Sequence, residues 1–347
     1  MDSTDTGPEQ YALDPADFYL DKADDSIHDT LSPINYEWWY FDATFDNNYS
    51  MASIWWELTS AGKEGGIVKE RFIDFSVYDP AGKKIMVKKP FDNSAVSIST
   101  EKCDVKMGDN RVFGEPPIYK MHFLADGLGA DLEFKSLVQG YRSPPDGTAY
   151  FSMNPLIYMG WTIAQPRAKV KGKLTVNGKE MNVTGTGYHD HNWGNTSIGD
   201  LYDYWYWGRI FLPGHTFIYS VGQLGECMDH APINVVMSFE GDRLVDMSQE
   251  IVGEPYDFVM DHETGIEYPR KLVLKIDSEV VKGEITHNLK NLIESYPLPA
   301  GYPLLNNETT TYGHGAVRFF SDCTVDLLVN GKKVKHSTAL IHEFMKP

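Results

Sequence analysis

Cysteine is scarce, positive charge is outnumbered, and no long apolar run occurs anywhere in the chain. The three cysteines, Cys103, Cys227 and Cys323, lie far apart and form no C-x-x-C pair. That spacing argues against a disulfide framework or a zinc ribbon, and the three read as reduced core thiols of a cytoplasmic protein. Lysine and arginine number 31 against 49 aspartates and glutamates, a formal net charge of −18. A surface of that sign repels phosphate backbones and anionic lipid heads, so no nucleic-acid partner is expected. Without about 18 consecutive apolar residues, no integral membrane segment is expected. The N-terminal stretch MDSTDTGPEQYALDPADFYLDKADD is acidic and polar, with neither the basic nor the apolar region of a secretion signal. Also missing are a GxSxG elbow, a Walker loop, a GxGxxG between strand and helix, HExxH and an EF-hand loop. No nucleotide, flavin or other cofactor is expected.

Aromatic residues are abundant instead: 13% of the 347 residues, with 20 Tyr, 17 Phe and 8 Trp. Aromatics favour strands and also line pockets for apolar ligands. Helical signals are few, the best being HNLKNLIESY from His287. Most other segments are short β-branched and aromatic runs separated by turn sequences: DNNYS after Phe45, DPAGKK at Asp79, PGH at Pro213, and NGK at Asn177 and Asn330. Asn-Gly between such runs is a strong hairpin signal. The fold class is therefore all-β. An internal repeat sets the domains. Val176-Asn-Gly-Lys179 recurs as Val329-Asn-Gly-Lys332, and 13 residues after each valine comes a histidine followed by an acid, His189-Asp190 and His342-Glu343. EWWYFDATFDNNYSMASIWWEL from Glu37 likewise matches DYWYWGRIFLPGHTFIYSVGQL from Asp203. The pattern predicts an N-terminal extension over 1–29 and two antiparallel β-barrel domains over 30–195 and 196–347.

Strand alternation sorts the aromatic clusters by face. Trp38, Tyr40 and Asp42 share one face, and Glu37, Trp39 and Phe41 the other. His189, His191 and Trp193 point one way, Asp190 and Asn192 the opposite way. Trp205, Trp207 and Arg209 form one face of a third strand, Tyr204 and Tyr206 the other. Such alternation suits a barrel wall with an aromatic and polar inner face, or a barrel filled by its own side chains. His189-x-His191 could chelate a metal, but Asp190 points away from the pair and no metal is expected. A histidine held by a carboxylate in an apolar cavity can instead act as general acid or base.

Three motifs, EWWYFDA near the start, GYHDHNWG at mid-chain and an aromatic strand ending WGRIF, together resemble the AttH/CrtC lipocalin-like family. This family includes carotenoid 1,2-hydratases (hydroxyneurosporene synthases), with fungal decalin-forming Diels–Alderases as more distant relatives. The resemblance runs over nearly the whole chain after about residue 30. It implies two tandem lipocalin-like (calycin) barrels and a cofactor-independent lyase that hydrates a C=C bond of a hydrophobic isoprenoid. Acid-assisted cyclisation or isomerisation is the related chemistry. A pericyclase on a polyene or polyketide and a non-catalytic carrier of an apolar small molecule are the alternatives. The expected partner is a hydrophobic small molecule, taken up through transient membrane contact. Carried over, His191 and Trp193 match the hydratase His-x-Trp motif, with Asp190 inside it and Tyr219 matching a tyrosine on a following strand. Where the hydratases carry an acid two residues after that tyrosine, this chain has Val221, so Asp42, Glu57 or Asp190 must supply the proton. The expected catalytic set is His191, Asp190, Trp193 and Tyr219. Trp38, Tyr40, Asp42, Glu57, His189, Trp205, Trp207 and Arg209 are expected to bind substrate.

Overall fold

The two Asn-Gly turns do what their chemistry predicts. Val176 pairs with Lys179 and Val329 with Lys332 across tight hairpins. Asn177 and Asn330 adopt φ of 51° and 50°, and the glycines that follow are left-handed as well. A turn with two positive-φ residues matches the twist of the flanking strands, and Asn-Gly tolerates it at least cost. The turns after Phe45, Tyr78 and Leu212 also fall where the sequence places them.

The computed structural model describes residues 18–28, 34–61, 66–143, 146–262, 264–299 and 310–347. Within these the chain is all-β, with one short α-helix (Ile198–Leu201) and a few 3-10 turns. Thirteen strands between Asn35 and Gly194 form one antiparallel sheet, and nine strands between Tyr202 and Lys346 form another. In each, the last strand returns to pair beside the first. Lys179–Gly194 lies next to Asn35–Phe45, and Lys332–Lys346 next to Tyr202–Leu212. The start-and-end repeat in the sequence is thus a pair of neighbouring strands in each half.

Each sheet curls around its own core into a barrel-like unit. Trp39, Phe75, Val105, Phe123 and Val170, from strands spread across the first sheet, pack in one cluster. Tyr206, Val236, Ile251, Leu272 and Val325 do so in the second. Fully burying a large apolar side chain is worth about 1.5–3 kcal/mol, so these interiors hold each sheet in its curl. Residues 18–28, part of the expected N-terminal extension, cross the first barrel and bury Asp25 completely. Residues 1–17 and 29 of that extension lie outside the described residues.

Four expectations need correction. HNLKNLIESY is not helical but belongs to the strand Val281–Pro299. Its pairing with Thr310–Val329 shifts at Leu289/Asn291 and again at Leu292/Glu294. Each bulge moves the alternation by one residue, so the apolar positions imitate a helical spacing. Cys103 and Cys323 are buried free thiols, but Cys227 is exposed. The match from Glu37 to Asp203 is slipped by one residue. Phe41 pairs with His189 where Gly208 pairs with His342, which makes Tyr40 the counterpart of Trp207 and Trp38 that of Trp205. Finally, the face bearing Trp38 and Tyr40 is not the inside of a barrel. The opposite face, Trp39 and Phe41, fills the barrel.

Candidate active site between the two sheets

The outer faces of the two barrels turn toward each other and border a cavity of about 280 Å³. A single water needs roughly 10–15 Å³ by the same measure, so the space suits an organic molecule. Its walls are cross-strand rows. On the first sheet Trp56, Trp38, Asn192 and Trp161 stand side by side across four strands, with Ile54, Tyr40 and Asp190 in the row beneath. On the second sheet Val235, Ser220, Trp207, Glu343 and Arg318 form a facing row across five strands. Five of the eight tryptophans (38, 56, 161, 205 and 207) line this space.

Asp190 is the acid of the first wall. Its Oδ2 accepts from the Trp161 indole N–H at 3.0 Å and from the Tyr188 hydroxyl at 2.8 Å, and its Oδ1 from the Asn192 amide at 3.0 Å. Burial pushes its pKa up to about 7, against the opposing pull of the Trp161 and Tyr188 hydrogen bonds. Glu343 on the second wall is also raised by burial, but the Arg318 guanidinium 3.4 Å away opposes the shift.

The sequence-derived residues divide into three places. Trp38, Tyr40, Trp205, Trp207 and Asp190 line the cavity. Asp42 and Arg209 sit beside it in a buried ion pair of 2.5 Å that joins the two sheets, with the Tyr40 hydroxyl donating to Asp42 at 2.8 Å. His189, His191, Trp193 and Glu57 lie on the other side of their strands, and Tyr219 is in the core of the second barrel; none of these five lines the cavity.

Those histidines instead anchor the N-terminal segment. His189 Nδ1–H donates to the Tyr40 carbonyl at 2.9 Å and its Nε2 faces Asp25 Oδ2 at 3.0 Å. With Nδ1–H committed to a carbonyl, the contact with Asp25 needs a second proton shared between ring and carboxyl. His191 Nε2 faces Glu37 Oε1 at 2.8 Å and its Nδ1 faces Asp25 Oδ1 at 3.4 Å. Glu37 also accepts from the backbone N–H of His28 and meets its ring Nδ1 at 3.1 Å. Glu57 is the bidentate partner of Arg71. Trp193 stacks on His28 at 3.6 Å, and its indole lies against Gly160, where a Cβ would overlap it.

Sequence reasoning missed Trp56, Trp161, Tyr188 and Arg318. The signal for Tyr188 was present, since it shares the strand face of Asp190 and Asn192. Trp161 and Arg318 carry no local signature and reach the site through ladder pairing alone.

Two curled antiparallel sheets clasping an aromatic, acid-bearing cavity define a double-barrel protein whose candidate site is built from both halves. A family model described as AttH-like matches residues 23–322, and the chain belongs to that family. A hydroxyneurosporene dehydrogenase from Chlorobaculum tepidum is 23% identical over 236 residues, covering 60% of this chain and 62% of that protein. The chain thus spans less than two thirds of this curated relative. Among solved structures, the AttH protein from Nitrosomonas europaea superposes with a TM-score of 0.64 at 15% identity, covering 90% of this chain and 92% of the other. The kievitone hydratase from Nectria haematococca gives a TM-score of 0.60 at 14% identity over 94% and 93%. At these identities the structural likeness speaks for the fold alone. No helix among the described residues is long and apolar enough to cross a membrane.

Proposed function

We propose that this protein is an enzyme that protonates a C=C bond of a hydrophobic, isoprenoid-like substrate held between the two sheets, with Asp190 as acid and base. The observation that carries this reading is the setting of Asp190: a carboxyl on an aromatic wall whose three hydrogen-bond partners are all neutral. Glu343 faces a guanidinium instead, which opposes the upward push that burial gives its pKa. A proton held at Asp190 passes to the less substituted alkene carbon, the π pair becomes the new C–H bond, and a tertiary cation results. Tryptophan faces stabilise such a cation, and the apolar walls of the cavity limit its side reactions. Water adds to the cation, and the Asp190 carboxylate takes the excess proton and is regenerated. If a substrate carbon captures the cation instead of water, the product is a ring or an isomer. Membership in the AttH-like family supports this class of chemistry.

The test is incubation of the protein with linear polyenes ending in a trisubstituted alkene, in D2O, followed by mass spectrometry. A product carrying one carbon-bound deuterium and one added water is expected. Asp190→Asn should lower turnover by ~10²–10⁴-fold, the usual contribution of a positioned general acid, while the thermal melt stays close to wild type. Unchanged turnover in a folded Asp190→Asn variant would refute the assignment. Recovery of a tightly bound but unaltered ligand would favour the carrier, and an isomer without deuterium the pericyclase.

A further inference from the structure

The histidine cluster on the far side of the strand Lys179–Gly194 has a geometry that anchoring alone does not require. We infer that His28, Glu37 and His191 form a binding site for a divalent transition-metal ion, zinc by its ligand set, which clamps the N-terminal segment onto the first barrel. The three residues come from three separate stretches of chain, yet one donor atom of each lies within 4.8 Å of the other two. Two imidazole nitrogens and one carboxylate oxygen are a set that zinc takes when it keeps a further position open. His191 and Glu37 are buried, whereas the His28 side chain is one-quarter exposed, so the open side faces solvent.

Neighbouring groups fit the same role. Asp25 Oδ1 stands 3.4 Å from His191 Nδ1, on the side of the ring away from Glu37. A carboxylate behind a ligating histidine fixes the ring and raises its basicity. Trp39 stacks on His191 at 4.4 Å and Trp193 on His28 at 3.6 Å, so both rings are held in place before any ion arrives. Charge points the same way. Asp25, Glu37 and Glu57 are buried together, and among the described residues the lysine and arginine side chains paired with this group are Arg71 and the half-exposed Lys69, both on Glu57. A bound cation would relieve the excess of carboxylate that Arg71 leaves uncovered. Binding displaces the proton shared by His191 and Glu37, which goes to solvent. The site lies on the opposite strand face from Asp190, so it positions the wall without touching the cavity.

Full-length protein stripped with EDTA, loaded with zinc chloride and freed of excess by gel filtration should retain one zinc per chain by elemental mass spectrometry. Cobalt(II) in place of zinc should give visible ligand-field bands. His28→Ala removes a half-buried ligand and spares the core; it should abolish retention, while His122→Ala, at an exposed His–Asp pair elsewhere on the barrel, should leave it intact. Asp25→Asn should weaken zinc binding ~10–100-fold without changing the stoichiometry. Wild-type protein that retains no zinc would overturn the inference, because protons alone would then close the network. Full retention in His28→Ala would overturn it equally, by placing the metal elsewhere. Both readouts are independent of turnover, so they stand or fall separately from the role of Asp190.

Discussion

Acidification should weaken the second barrel through His287. This side chain is buried in the barrel core, stacked 4.6 Å from His342 and 5.6 Å from Tyr219, and burial drives its pKa from 6.5 down to about 3. The histidine is neutral in the folded state and free to protonate once unfolded. Between pH 6.5 and about 3 the unfolded chain therefore binds one more proton at this position, and stability falls as pH falls. The contribution is fully present above the unfolded value and is lost progressively at ~1.4 kcal/mol per pH unit. From pH 7 to pH 5 the loss from His287 alone comes to ~2 kcal/mol. His342 is pushed in the same direction by burial and by His287 itself, so it can only add to the effect. Urea unfolding of wild type and His287→Leu at both pH values isolates the term. The difference in stability loss between the two proteins should be ~2 kcal/mol. Equal losses in wild type and variant would refute the reasoning, since the variant lacks the His287 proton site and also frees His342 from its repulsion.

Two further outcomes follow from packing. Gly160→Ala would place a Cβ 1.9 Å from the Trp193 indole; overpacking of this kind should destabilise by ~1–3 kcal/mol, read as a fall in Tm, and an unchanged Tm would show that the indole gives way freely. Arg209→Met leaves Asp42 buried without its cation and should cost ~3–5 kcal/mol in urea unfolding. Adding Asp42→Leu should recover most of that loss, and failure to recover would mean that Arg209 matters for something other than this pair.

Turn chemistry and alternation made the fold legible. Asn-Gly turns close both long hairpins, and the grouping of residues by strand face holds in all three aromatic clusters. Which face is concave was not legible. Alternation says that Trp38 and Tyr40 share a side, but not whether that side is the inside of a barrel. Here the outer faces are covered too, each by the other sheet, so aromatic residues occupy both sides of the same strand. Trp38 and Trp39, adjacent in sequence, end in different compartments for that reason. Of the expected catalytic set, Asp190 faces the cavity with Asn192, while His191 and Trp193 stand on the opposite face of the same strand. Asp25 escaped notice because a lone acid in a polar N-terminal stretch carries no periodic signal, and only the fold brings it to His189.

The repeat explains why two acids at matching positions have partners of different charge. In both halves the histidine of the His-acid pair turns into its barrel, where His342 meets the Ser321 hydroxyl at 2.8 Å much as His189 meets Asp25. The acid of each pair then turns outward, and because the two outer faces meet, Asp190 and Glu343 open onto the same cavity. Two carboxylates there would repel each other if both were bare. The second half supplies Arg318, held between Glu343 and Glu294, and so favours the charged form of its own acid. The first half supplies Trp161, Tyr188 and Asn192, which satisfy the oxygens of Asp190 without adding a positive charge. Surroundings that push two like groups apart are the usual way a site comes to hold one acid and one anion. On this argument Arg318→Met should act at a distance: with Glu343 unpaired the cavity gains a second acid that favours its neutral form, and the division of labour between the two halves is lost. The measurement is the turnover of Arg318→Met set beside that of Asp190→Asn. If Arg318 serves only to tie the sheets together, the variant will lose stability while turnover per folded molecule stays at the wild-type level.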